Sequence, residues 1–389
     1  MLALDQRERL EDLVEGCLEL AIDPSFPAVG EWLATHPSGK VLGHFQVYFP
    51  EELAEAAGLL PLKIMGAGGL EAKQADSHIG SFVCSICRTS LELGLGGRLS
   101  FLAGFITHPI CDAARNMAGI WGRNFPDQLS QILYLPQNAT SSGAAAYLAA
   151  EYRRVALELS RRSGVTVTDD RLRERIACGN ENRRSIRELY RIKRERPWLL
   201  PATEAYGLIR AGSAMPREAH NRLLARALTL LADRQGRPQD RVRVVFEGGF
   251  CEQPPLDMIH LIEEACYIVD DDLLIGQRFL TEDVPTDGDP FLALAESYLE
   301  RSTYSCVQHD DRKPKETMLL QRIRQSGAQA AILAAAKMCE PGMDEQVAYQ
   351  KALQAEGIPF LLLEFEERMT GFERMRMEVE TFVESILFD

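Results

Sequence analysis

The 389-residue chain is short of positive charge, with 43 Lys and Arg against 57 Asp and Glu and a formal net charge of −14. Neutralising the phosphates of nucleic acid or of an anionic membrane surface takes a basic face, so neither is expected as a partner. No apolar run is long enough to span a bilayer. The first twenty residues, "MLALDQRERLEDLVEGCLEL", mix both charge signs along an amphipathic helical pattern. They lack the basic-then-apolar order of a secretory signal, so a cytoplasmic protein is expected. The phosphate-binding loop G-x4-G-K-[ST] is missing, and "GLGGRLS" follows no clear strand; if the reaction consumes ATP, another chain is expected to hydrolyse it. There is no short-period repeat and no low-complexity tract.

Cysteine is present, but not as a disulfide framework. Nine cysteines, an odd number in a long chain expected in the cytosol, point instead to free buried thiols, metal binding or catalysis. A single C-x2-C, Cys84 with Cys87, is half of what a structural zinc site usually shows. The same spacing occurs in redox pairs and in iron–sulfur proteins, whose thiolates can lie far apart in sequence.

Composition is that of a globular protein, 46% hydrophobic and 26% charged, and the length suggests two domains. After a helical start, residues 1–35, short apolar strands alternate with helical stretches. "VLGHFQVYF", "PLKIMG", "RLSFLAGFI" and "QILYLP" read as strands; "PEELAEAAGL" and "CDAARNMAGIW" read as helices. Such alternation implies a parallel sheet covered by helices. Between about 141 and 238 strands vanish and long amphipathic helices take over. Residues 151–200 hold 13 Arg and one Lys against eight acidic residues, either solvated helix faces or an anion-binding face. Strands return at "RVRVVFEGGF", "YIVDDDLL", "AAILAAA" and "IPFLLLEF", with Gly357 ending one helix and Thr370 suited to cap the last. The expected fold is α/β: two Rossmann-like parallel-sheet domains, 1–140 and 239–389, with an N-terminal helix and an Arg-rich helical insert, 141–238, between them.

Three cysteines fall where such a fold builds sites. Cys111, Cys251 and Cys339 each follow a strand and precede a helix, where open sheets bind ligands and helix N-termini favour thiolates. Cys17, Cys178 and Cys266 lie inside expected helices as packing residues. Cys306, in a polar loop, has no assignment.

"VCSICRTS", "HPICDAARNM" and "LAAAKMCEPGMDE", in this order, resemble the 2-hydroxyacyl-CoA dehydratase family, and in particular the smaller, gamma-type subunits of its ATP-dependent benzoyl-CoA reductase branch. Cys84 with Arg88 and Thr89 matches the first family element, Cys111-Asp112 the second, Cys339-Glu340-Pro341 the third. The resemblance implies a [4Fe–4S] cluster held by Cys84, Cys111 and Cys339, with Cys87 as a possible additional ligand. It also implies a paralogous cluster-bearing subunit, two ATPase subunits that deliver low-potential electrons, and ferredoxin as their indirect source. The reaction would be the two-electron reduction of benzoyl-CoA, or a related acyl-CoA, to a cyclohexadiene-carboxyl-CoA. Dehydration of a 2-hydroxyacyl-CoA and a non-catalytic relay or scaffold role are the alternatives on the same architecture; a zinc-stabilised α/β protein is the plain one.

Several other residues invite roles. His108, three residues before Cys111, could hydrogen-bond a cluster sulfur or donate a proton, or face solvent at a helix entry. Arg88 could offset cluster charge or form a surface ion pair. Cys251 reads as a buried thiol beside a Gly-Gly turn. Asp270 to Asp272 read as a strand-end turn and the "HDDR" string at His309 as a loop.

Overall fold

The computed structural model describes residues 4–45, 48–249, 251–304, 308, 310–366, 369 and 371–388. Eight strands form two four-stranded sheets. The first contains β1 (Lys40–Phe45), β2 (Leu59–Ile64), β3 (Leu102–Thr107) and β4 (Leu129–Ile132). The second contains β5 (Arg243–Glu247), β6 (Tyr267–Asp271), β7 (Ala330–Ala336) and β8 (Phe360–Phe365). All pairings are parallel. The strand orders are β2-β1-β3-β4 and β6-β5-β7-β8, the same topology twice. Every residue of β2 and β7 is buried, as expected of parallel strands covered on both faces. The α/β reading of the sequence therefore holds, with helices ahead of β1 and the helices from Ala144 to Asp233 between the sheets in chain order.

Strand ends differ from the sequence reading. Tyr48 and Phe49 are buried outside any strand. β4 covers Leu129–Ile132, so most of "QILYLP" lies beyond it. Asp270 and Asp271 close β6 instead of turning, and both are buried in an ion-pair network. Asp271 meets Lys193, Arg278 (3.1 Å) and the Tyr190 hydroxyl (2.6 Å). Cys266 stands just past the helix Leu256–Ala265 as its C-cap. Gly357 ends its helix in the left-handed conformation, as its position suggested. Cys306, His309 and Thr370 lie outside the described residues.

In an order such as β2-β1-β3-β4 the chain leaves β1 to one side and returns to the other, opening a crevice at the carboxyl ends of β1 and β3. The second sheet has the same crevice at β5 and β7. One continuous core, including Leu42, Phe246, Ile332 and the inter-sheet helices, joins the two sheets.

Candidate functional site

The cysteines gather at these crevices. A cavity of about 250 Å³ is lined by Cys84, Cys87, Cys111, Cys251 and Cys339, together with Phe45, Phe82, Ile110 and Met338. Three segments of the first half and two of the second thus meet in one space. Three of the thiols share a local setting: Cys84 is the N-cap of helix Ser85–Leu95, Cys111 of Asp112–Asn124, and Cys339 of Glu340–Glu356. Cys111 accepts a hydrogen bond from the Ala114 N–H at 3.4 Å, the role an N-cap oxygen usually plays. Each helix brings unpaired N–H groups and the positive end of its dipole, worth about 0.3–1 kcal/mol per negative charge at an exposed site and more when partly buried.

The thiols sense one another. The Sγ atoms of Cys84 and Cys87 are 3.7 Å apart. The contact with Cys84, then burial, then the charges of Cys84, Cys111 and Cys339, hold the Cys87 thiol well above its ordinary pKa. Burial raises Cys111, and the N–H groups of Ala114 and Ala113 partly offset it. Cys339 is displaced the other way: a hydrogen bond with Cys251 lowers its pKa first, the Gly342 N–H adds to this, and burial opposes both. The thiol with the environment best suited to a thiolate therefore stands on the second sheet's side. Across the junction, Ser85 hydrogen-bonds the buried Glu252, linking the start of the Cys84 helix to the loop after β5.

Of the supporting residues singled out in the sequence, neither lines this cavity. His108 is fully buried at the end of β3 against Phe49, with ring centroids 6.4 Å apart, and neither ring nitrogen has a hydrogen-bond partner among the described residues. Burial, with His44 and Lys63 nearby, pushes its pKa down to about 3, so the ring is neutral. It does not face solvent. Arg88 reaches Asp76 at 2.6 and 2.9 Å, a partly exposed ion pair. Cys251, which sequence alone favours as an inert thiol, belongs to the cavity. Its signal was its place after β5, which matches that of Cys339 after β7.

No three His, Cys, Asp or Glu side chains among the described residues close in tightly enough for a single metal ion. A donor set dominated by sulfur, with Asp112 and Glu340 also on the lining, suits a larger, soft inorganic group. The cavity also has an apolar rim. Phe82 is 76% and Met338 59% exposed, and Met338 holds a left-handed backbone, φ +62°, between β7 and Cys339.

Comparison with known proteins fits this arrangement. The sequence profile of the 2-hydroxyglutaryl-CoA dehydratase, D-component family matches residues 46–386. The chain belongs to this family. It is 36% identical to one of the benzoyl-CoA reductase subunits of Thauera aromatica, covering 96% of this chain and 98% of that one. It is 27% identical to the lactoyl-CoA dehydratase beta subunit of Anaerotignum propionicum, covering 97% and 100%. With the (R)-2-hydroxyglutaryl-CoA dehydratase beta subunit of Acidaminococcus fermentans the identity is 26%, over 89% and 92%. This D-component family member carries its cysteine cavity where its two sheets meet, and no helix among its described residues is long and apolar enough to cross a membrane.

Proposed function

We propose that this chain is the iron–sulfur subunit of an ATP-dependent benzoyl-CoA reductase, with a [4Fe–4S] cluster held by Cys84, Cys111 and Cys339. The observation that carries this reading is the convergence of three cysteine N-caps on one cavity. The donor chemistry fits: the candidate ligands are thiols, and three helix ends favour the negative charge of thiolates and cluster. When bound, such a cluster supplies electrons at potentials that side chains alone cannot reach, as reduction of an aromatic ring demands.

The protein's own residues would set the conditions for that chemistry. N–H groups of Ala113, Ala114 and Gly342 and the Cys251 thiol point hydrogen bonds at the ligand sulfurs, the kind of contact that tunes a cluster. Phe45, Ile110 and Cys87 exclude water from its inner side. The exposed Phe82 and Met338 suit docking of a paralogous cluster-bearing subunit over the opening. As the family resemblance implies, two separate ATPase subunits, reduced by ferredoxin, would drive electrons in; this chain itself has no G-x4-G-K-[ST] loop. Greater identity to the reductase subunit, 36% against 27% and 26% for the dehydratase subunits, favours ring reduction over 2-hydroxyacyl-CoA dehydration.

The test is iron and acid-labile sulfide per chain after anaerobic purification with the partner subunit. About four irons are expected, lost in Cys339→Ala and retained in Cys87→Ala. Zinc in place of iron, or no iron in any preparation, would reject the cluster. In the assembled enzyme, ATP consumed in proportion to product marks a reductase; ATP needed only to start turnover marks a dehydratase.

A further inference from the structure

We propose that a second cleft, sharing no residue with the cysteine cavity, binds the diphosphate of a nucleotide. The cleft encloses about 260 Å³ beside the carboxyl end of β6. Five guanidinium groups line it, Arg183, Arg187, Arg194, Arg278 and Arg322, against one carboxylate, Asp270. Three come from one face of the helix Asp169–Glu195, at spacings of four and seven; the others come from the segment after β6 and from the helix Lys315–Ser326. In a protein of net charge −14, such a convergence has to be built.

Outside the cleft the arginines of this helix pair in two ways, Arg175 and Arg184 with the distant acids Glu218 and Asp283 and others locally. Arg173 and Arg191 pair with acids three and four residues away on the same helix, Asp169, Asp170, Glu188 and Glu195, and form the solvated faces expected of such runs. The cleft arginines are held from behind by acids distant in sequence: Arg183 by Glu52, Arg187 by Asp283, Arg278 by Asp271 and Arg322 by Glu247. Arg187 and Arg194 keep N–H groups for another acceptor, whereas Arg183 also gives an N–H to Asn180, Arg278 to the Asp271 and Leu273 carbonyls and Arg322 to the Thr303 hydroxyl. Arg194 comes no closer than 3.7 Å to Asp270.

Gln277 lines the cleft and is fixed there by its Nε2, which donates to the Ile209 carbonyl at 2.8 Å. The convergent guanidinium groups suit an anionic ligand. Ile186, Leu280 and Met318 add apolar surface between them. A nucleotide diphosphate has this chemistry, whether free or as the phosphorylated end of a coenzyme A thioester.

The experiment is calorimetric titration of the purified full chain with ADP, coenzyme A, dephospho-coenzyme A and AMP. It compares wild type, Arg187→Gln/Arg194→Gln, and Arg173→Gln/Arg191→Gln as a control on the same helix. The cleft pair is partly exposed, at 42% and 34%, so the variant should keep the wild-type unfolding midpoint. Binding of ADP or coenzyme A should weaken at least tenfold in the cleft variant, stay unchanged in the control, fall steeply with salt, and exceed that of AMP. Tighter binding of coenzyme A than of its dephospho form would assign the site to the thioester; equal binding of ADP and coenzyme A would assign it to a free nucleotide. No binding at millimolar ligand, or the same loss in both variants, would overturn the proposal. The titration needs neither cluster nor turnover, so its outcome is separate from that of the iron analysis.

Discussion

A single methyl group at position 248 is expected to separate the carboxyl ends of β5 and β7. Gly248 follows β5 with φ +135°, a conformation that residues with a Cβ rarely adopt, and a Cβ built there falls 1.6 Å from the Ala334 carbonyl oxygen and 2.6 Å from its carbon. Both are backbone atoms of a central strand paired on its two sides, so neither can rotate away. The unfavourable backbone conformation costs about 1–3 kcal/mol, and the shift forced on a packed region costs about the same again. Gly248→Ala should therefore lose about 4 kcal/mol, a large share of a typical total of about 5–15 kcal/mol. With a urea dependence of roughly 3 kcal/mol per molar, the unfolding midpoint should fall by about 1 M or more. Gly288→Ala is the control: φ is +71° but nothing lies within 4 Å, so only the conformational cost of about 1–2 kcal/mol is expected. Equal shifts in the two variants would refute the close approach of β5 to β7. Because Cys251 and Cys339 follow those two strands, Gly248→Ala should, on the proposed cluster reading, also lower iron content at temperatures where the fold survives.

Two further outcomes follow from buried charge. His220, hydrogen-bonded to the Leu208 carbonyl (3.0 Å) and to Asn182 (2.9 Å), has its pKa pushed down by burial to about 4. The unfolded state, near 6.5, takes up this proton first, so the contribution of neutral His220 is complete above about pH 6.5 and is lost as pH falls toward 4. The stability of wild type minus that of His220→Gln should shrink over this window by roughly 3 kcal/mol; a pH-independent difference in urea titrations would contradict the neutral ring. Lys193 is wholly buried against Asp271, so Lys193→Met should cost about 3 kcal/mol by leaving a buried carboxylate short of a partner. A loss below about 1 kcal/mol by thermal or urea unfolding would show that Arg278 and Tyr190 suffice for Asp271.

The strands were legible because parallel, doubly covered strands are short apolar runs bounded by turn residues, and β2 and β7 are apolar almost throughout. Their ends were not, because Tyr48, Phe49 and Leu133 are buried by packing without being paired in a strand. Cys111 and Cys339 announce themselves by lying just beyond an apolar strand. Cys84 does not: after β2 the chain runs through some twenty residues of turns before the helix Ser85–Leu95, so no local pattern marks it as an N-cap. Nor does sequence show that Cys251 reaches Cys339, since β5 and β7 become neighbours only through the crossover. The Arg-rich segment reads as one feature in sequence. In the fold it divides into locally paired faces, arginines such as Arg175 and Arg184 that reach distant acids, and Arg183, Arg187 and Arg194, which line a cleft.

Cys84 and Cys111 belong to the first sheet's half and Cys339 to the last stretch of the second. Domains form N-terminal first as a chain is made. A growing polypeptide would therefore display an open set of thiols long before Cys339 leaves the ribosome, with a helix end already inviting anions at each. Loading of any inorganic group must wait for the finished chain, and a stalled or truncated product would be a reactive thiol surface instead of a slower version of the protein. If the proposed cluster is what fills the cavity, strains limited in cluster supply should accumulate full-length apoprotein sensitive to thiol oxidants, while prematurely terminated chains should be cleared as misfolded.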